Sequence, residues 1–160
     1  MLSKRLTPDQ AWQKIRHFCA YQERSHFETK EKLFGYGLSK TDVDTLISRL
    51  IEEDYLNEAR FAAQFAGGHF RIKKWGRVKI VYALKQKRVS PVNIKYALKE
   101  IDEVNYKAIL MRLAETKWRL LKHEQYLNRQ AKTSQYLINK GYEPGLVQEV
   151  IQQIRKAGKE

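Results

Sequence analysis

Cysteine occurs once, at Cys19, so no internal disulfide framework braces the chain, and a reducing compartment is implied. Histidine is also scarce. His17, His26, His69 and His123 stand at no metal-ligand spacing, so neither a metal nor another cofactor is expected. Cys19 lies two residues from His17, but neighbours that close on a helix point in different directions, and the pair reads as core thiol and partly exposed imidazole. Glycine forms no phosphate-binding loop, and the carboxylates Glu52-Glu53-Asp54 read as a helix end and turn, so no enzyme is expected. No run approaches the roughly 18 apolar residues of a membrane span. The opening Met1-Leu2-Ser3-Lys4-Arg5 carries neither an apolar signal region nor a cleavage site, so a cytoplasmic protein without membrane contact is expected. The most informative absence is acidic: residues 59–99 contain no Asp or Glu.

That acid-free stretch holds 11 of the 31 basic side chains, namely Arg60, Arg71, Lys73, Lys74, Arg77, Lys79, Lys85, Lys87, Arg88, Lys95 and Lys99. Residues 1–58 are nearly balanced, and residues 100–160 carry only a small positive excess. Nearly all of the +13 net charge therefore sits in the middle quarter of the chain. Such asymmetry points to a polyanionic partner, most simply nucleic acid or a nucleoprotein complex.

The three prolines, Pro8, Pro91 and Pro144, follow Thr7, Ser90 and Glu143 and read as helix starts. Apolar residues recur at helical spacing throughout, and no segment alternates like a strand, so the fold class is all-α. Three segments also resemble one another. Leu33, Leu84 and Leu137 mark their register, 51 and 53 residues apart. Four residues on comes Gly37, Arg88 or Gly141, then apolar Leu38, Val89 or Tyr142, then Ser39, Ser90 or Glu143 as a polar capping residue. Apolar positions follow ten, thirteen and fourteen residues after each leucine. This is a helical hairpin with a very short turn: a helix ends on a left-handed cap, an apolar residue tucks back, and a second helix begins. Arg88 replaces the glycine in the middle copy, where the cap should be less relaxed. Amphipathic helices over roughly 7–22, 57–72 and 105–120 precede the hairpins. The expectation is three tandem three-helix repeats, 1–54, 55–103 and 104–160, in an elongated, modestly curved array. Gly67-Gly68 is expected to bend or end the helix it interrupts. Tyr106 and Trp118 are either core or interface.

On the helix beginning at Gly76, Ile80, Val81 and Leu84 form the inward stripe, and Lys79, Lys85 and Lys87 fall off it. Arg77 and Arg88 stand at its two ends, where long side chains can reach outward. With Arg71, Lys73 and Lys74, and with Lys95 and Lys99 on one face of the following helix, these charges can form one connected surface near Trp75, which reads as a core or hinge anchor more than as a base-stacking platform. The charges lie on both hairpin helices and the linker, unlike a single recognition helix, so backbone electrostatics without base readout is the expected mode.

The pattern resembles the RecX family of bacterial recombination regulators. Asp54-Tyr55-Leu56-Asn57-Glu58-Ala59-Arg60-Phe61-Ala62 is similar to that family's apolar-Leu-Asp-Asp-x-Arg-Phe-Ala signature, and Trp75-Gly76-Arg77 through Leu84 to its aromatic-Gly-x-x-Arg-Ile-x-x-Glu-Leu block. Gln22-Glu23-Arg24-Ser25 with Lys32-Leu33, and Lys132 through Tyr142, resemble the first and third repeats, so the likeness covers roughly 7–155. Asn57-Glu58, Ala83 and Arg88-Val89 depart from the family pattern and make the middle repeat more basic than is typical. The resemblance implies a regulator that binds the RecA recombinase and its filament on single-stranded DNA and that inhibits ATPase and strand exchange by groove binding or filament capping. A monomer that also meets duplex DNA is expected. Lys73, Lys74, Arg77, Lys79, Lys85, Lys87 and Arg88 would make the principal contacts, with Arg71 and Lys95 beside them and Arg24 and Arg129 as lesser contributors. The alternatives are a stand-alone DNA-binding protein and a helical adaptor for another acidic protein.

Overall fold

The computed structural model describes residues 5–158, and every regular element among them is a helix. In chain order these are α1 (Pro8–Tyr21), α2 (His26–Gly35), α3 (Lys40–Glu52), α4 (Glu58–Lys73), α5 (Arg77–Gln86), α6 (Pro91–Lys99), α7 (Glu103–Leu120), α8 (Tyr126–Asn139) and α9 (Pro144–Gly158). The array of tandem helical repeats read from the sequence is present, and no described helix is long and apolar enough to cross a membrane.

Local chemistry sets the helix starts. Thr7 and Ser25 each close a reciprocal capping box, with Gln10 and Glu28, while Ser39 and Asp102 cap α3 and α7 through the N–H three residues on. The hairpin turns are equally regular. Leu33, Leu84 and Leu137 are completely buried, and the residue four positions later is left-handed in every copy: φ is +85° at Gly37, +58° at Arg88 and +101° at Gly141. The carbonyls of Leu84 and Leu137 accept the N–H of Val89 and Tyr142, at 3.1 and 3.2 Å, as the turn folds back. Leu38, Val89 and Tyr142 are buried as the turn geometry requires. Asp54 and Lys74 are also left-handed, with φ of +62° and +59°, and end α3 and α4 without glycine.

Gly67 and Gly68 do not end their helix: α4 runs through both to Lys73. Neither residue needs a special conformation there, and the helical bonds on both sides outweigh the roughly 1 kcal/mol that each glycine costs.

The chain gathers into two compact units. One comprises the chain up to Phe65 together with Leu84–Ala97; the other comprises Ala66–Ala83 and the chain from Leu98 onward. All three changes of unit fall inside helices of the middle repeat, so each unit has its own share of that repeat. In the first unit, Trp12, Ile15 and Cys19 of α1 pack with Leu33 of α2 and with Val43, Leu46, Ile47 and Leu50 of α3. In the second, Phe70, Tyr106 and Tyr142 form an aromatic chain with centroid separations of 5.6 and 5.2 Å. Tyr106 is thus core and not interface, and Trp118 lies half-buried against Tyr126, edge to face.

Candidate nucleic-acid interface

The basic side chains divide into those bound by the fold and those presented by it. Arg77 belongs to the first group. A cation in the first turn of a helix opposes the helix dipole, and a carboxylate beside it offsets that cost. Here Nη1 meets Glu143 at 2.9 Å, Nη2 meets Glu103, and the guanidinium lies 3.8 Å over the ring of Tyr106. The Tyr106 hydroxyl accepts the Arg77 N–H at 3.0 Å and donates to Glu143. Burial disfavours the Arg77 charge, but the hydrogen bond and charge of Glu143 outweigh it and raise the pKa. Burial also raises the Tyr106 pKa, with Glu143 adding to the shift, so its hydroxyl stays a donor. The outward reach anticipated for Arg77 is replaced by this inward network, in which Arg77 and Tyr106 each engage one oxygen of Glu143.

Beside this network two turns interlock through their backbones. Gly76 N–H donates to the Lys140 carbonyl at 2.8 Å, and Val78 N–H donates to the Gly141 carbonyl at 2.9 Å. Lys140 Nζ and the Tyr142 hydroxyl reach the carbonyls of Lys73 and Lys74, at 3.0 and 2.9 Å, and satisfy groups that the end of α4 leaves open. This fixes the linker from Lys73 to Arg77. Trp75 anchors it, its ring 4.6 Å from that of His69, with Lys73 Nζ and Lys79 Nζ at 5.4 and 4.7 Å from its centroid. Lys74 Nζ turns back to the Arg71 carbonyl at 2.7 Å, and the Arg71 guanidinium lies over Gly67.

The first unit presents Lys85, Lys87, Arg88 and Lys95, of which Lys85, Arg88 and Lys95 are exposed. Arg88 lies 4.4 Å over the ring of Phe27. Arg60 is bound in the same unit by Glu23 at 2.6 Å and Asp54 at 3.1 Å, and its hydrogen bond to Glu23 is the main cause of its raised pKa. Arg24 and Arg129 play matching parts in their own units. Each donates from Nε to a carbonyl in the last turn of a preceding helix, Phe18 at 3.0 Å and Trp118 at 2.9 Å, and stacks on that residue's ring at 3.8 and 4.1 Å. Among the described residues no ion pair engages Lys73, Lys79, Lys85, Lys87 or Lys95. No cluster of three or more potential metal ligands occurs among the described residues.

Sequence reasoning placed the basic residues but missed the partners of Arg77. The only local signal was slight: a cation at the first position of a helix without an acid in that turn is mildly unfavourable unless a carboxylate from elsewhere meets it.

Comparison with known proteins places this geometry among relatives. Residues 57–98 match the family model of the second three-helix domain of RecX, and residues 105–151 match that of the third. A regulatory protein RecX of Pelodictyon phaeoclathratiforme is 34% identical over 122 residues, spanning 75% of this chain and 74% of the relative. The RecX protein of Prosthecochloris aestuarii is 27% identical, spanning 86% and 88%. The crystal structure of RecX from Lactobacillus salivarius superposes with a TM-score of 0.85 at 22% identity, covering 92% of this chain and 96% of that one, a likeness of fold.

Proposed function

The chain belongs to the RecX family of regulatory proteins, and on that premise we propose that it binds the RecA recombinase on its single-stranded-DNA filament and restrains ATPase and strand exchange. It does so by occupying the filament groove or capping the growing end. The supporting observation is the sorting of charge in the middle repeat. Arg60 and Arg77 are neutralised by carboxylates, whereas Lys73, Lys79, Lys85, Lys87 and Lys95 are presented from an acid-free stretch. A partner combining acidic protein surface with DNA phosphates fits that presentation. Arg71, Lys74 and Arg88 add further cations in their own units, Arg77 holds the start of α5, and Arg24 and Arg129 brace the flanking repeats.

The test is the DNA-dependent ATPase rate of the cognate RecA as the protein is added below one-to-one. A marked fall at substoichiometric amounts is expected. An unchanged rate, with naked DNA still shifted in a gel, would assign the protein to stand-alone DNA binding.

A further inference from the structure

The second helices of the three hairpins, α3, α6 and α9, form an internal comparison, because the register leucines align them residue for residue. Each buries the positions ten and thirteen residues after its leucine: Val43 and Leu46, Ile94 and Ala97, Val147 and Val150. Positions eight, eleven and twelve after the leucine point outward and are exposed in every copy. They are Thr41, Asp44 and Thr45 in α3 and Gly145, Gln148 and Glu149 in α9, small, polar or acidic as a solvated face requires. In α6 they are Val92, Lys95 and Tyr96. The flanking copies show that the fold does not need apolar or basic residues there. Val92 and Tyr96 are nonetheless 77% and 49% exposed, so burial within the described fold does not account for them.

Their spacing puts the three on one face of the helix. The end of α6 is already served: Ser90 N–H and Asn93 Nδ2 both donate to the Glu58 carboxylate, at 3.3 and 2.6 Å. A phosphate arriving there would meet that carboxylate, so the contact belongs to the flank of the helix and not to its N-terminus. On the flank, a tyrosine ring and a valine offer apolar surface, and Lys95 adds a cation to the same exposed face. That pattern fits a ligand alternating planar rings with anions. Unpaired bases offer their faces to such a ring, whereas a duplex keeps them stacked. A purely electrostatic contact would use Lys95 alone, whereas unpaired bases also use the tyrosine face.

We propose that the outward face of α6, formed by Val92, Lys95 and Tyr96, is a stacking platform for single-stranded nucleic acid, with Tyr96 against a base and Lys95 at a phosphate. This deepens the nucleic-acid half of the function proposed above and adds base stacking to the backbone electrostatics expected from the sequence.

The experiment uses the full chain without recombinase and a labelled oligothymidylate of roughly 20 nucleotides, longer than the ~4–16 nucleotides of typical single-strand sites. The variants are Tyr96→Thr and Lys95→Gln, the residues that the first and third repeats carry at these positions, with Tyr96→Phe as the ring-retaining control and thermal melts to verify folding. Tyr96→Thr should weaken binding about tenfold with an unchanged salt slope, Tyr96→Phe should bind like the parent, and Lys95→Gln should lower the log–log salt slope by about 0.7. Equal affinity of folded Tyr96→Thr would overturn the proposal. So would tighter binding of a duplex of the same length with an equal loss in Tyr96→Thr, which would mean groove docking. Absence of oligonucleotide binding, with recombinase inhibition still lost in the variants, would make the face a protein contact and leave the proposed function standing.

Discussion

A methyl group placed on Gly76 would stand 2.3 Å from the carbonyl oxygen of Gly141 and 2.5 Å from the N–H nitrogen of Tyr142. The obstacle is backbone on both sides, joined by the hydrogen bonds that Gly76 and Val78 donate across the contact. No side chain can swing aside. Gly76→Ala should therefore cost about 3 kcal/mol or more, at the upper end of overpacking effects. Gly141→Ala should cost at least as much, because its φ is +101° and a Cβ would meet Lys79 Cβ at 2.3 Å. Urea denaturation of the two variants measures this, and a loss below about 1 kcal/mol would contradict the interlock.

Gly68 is the opposite case. It sits inside α4, and a methyl group added there would meet nothing within 4 Å. Gly68→Ala should stabilise the protein by about 0.5–1 kcal/mol through helix propensity. Gly67→Ala would press on the Arg71 guanidinium, a movable group, and should be nearly neutral. A thermal melt distinguishes the pair.

Arg88 holds a left-handed turn that glycine holds in the other two repeats. Arg88→Val should destabilise by about 1 kcal/mol or more, since a β-branched residue is worse still at positive φ. Arg88→Gly should fall within about 0.5 kcal/mol of the parent. Relief of about 1–2 kcal/mol of left-handed strain is offset by the lost stacking on Phe27 and a looser unfolded chain. Chemical denaturation should rank glycine above valine, and the reverse order would refute the turn assignment.

Burial pushes the Cys19 thiol from 9.0 up to about 11, against smaller opposing pulls from Thr29 and from the Arg24 charge. Folding therefore favours the protonated thiol. Its contribution to stability is complete below pH 9 and is lost as the pH climbs towards 11. Cys19→Ala should lose less stability than the parent between pH 8 and 10.5. At pH 8 an aromatic disulfide reagent should label Cys19 no faster than the protein opens, and labelling at the rate of a free thiol would contradict its burial.

The repeat was legible because each copy must solve the same problem with the same few residues. A buried leucine, a left-handed cap, an apolar residue tucked back and a capped second helix leave a local signature at Leu33, Leu84 and Leu137 that needs no knowledge of distant contacts. The left-handed strain at Arg88 followed from the same alignment. The left-handed caps at Asp54 and Lys74 carried no glycine to announce them. The interlock of Gly76 with Gly141, and the capture of Arg77 by Glu103 and Glu143, join residues up to 66 positions apart, and local spacing holds no record of such pairings. The basic residues of the candidate site were visible as composition. Which of them the fold consumes became apparent only with their partners in place.

The most direct test of the account compares two triple charge reversals in the recombinase ATPase assay. Lys73→Glu, Lys85→Glu and Lys95→Glu remove exposed cations of the middle repeat, and Lys14→Glu, Lys30→Glu and Lys122→Glu change the net charge equally through exposed lysines of the flanking repeats. With both variants folded, the middle-repeat reversal should lose inhibition by tenfold or more, in line with several lost phosphate contacts, while the flanking reversal inhibits nearly as the parent does. Equal inhibition by the two variants would contradict the claim that the middle repeat makes the contact.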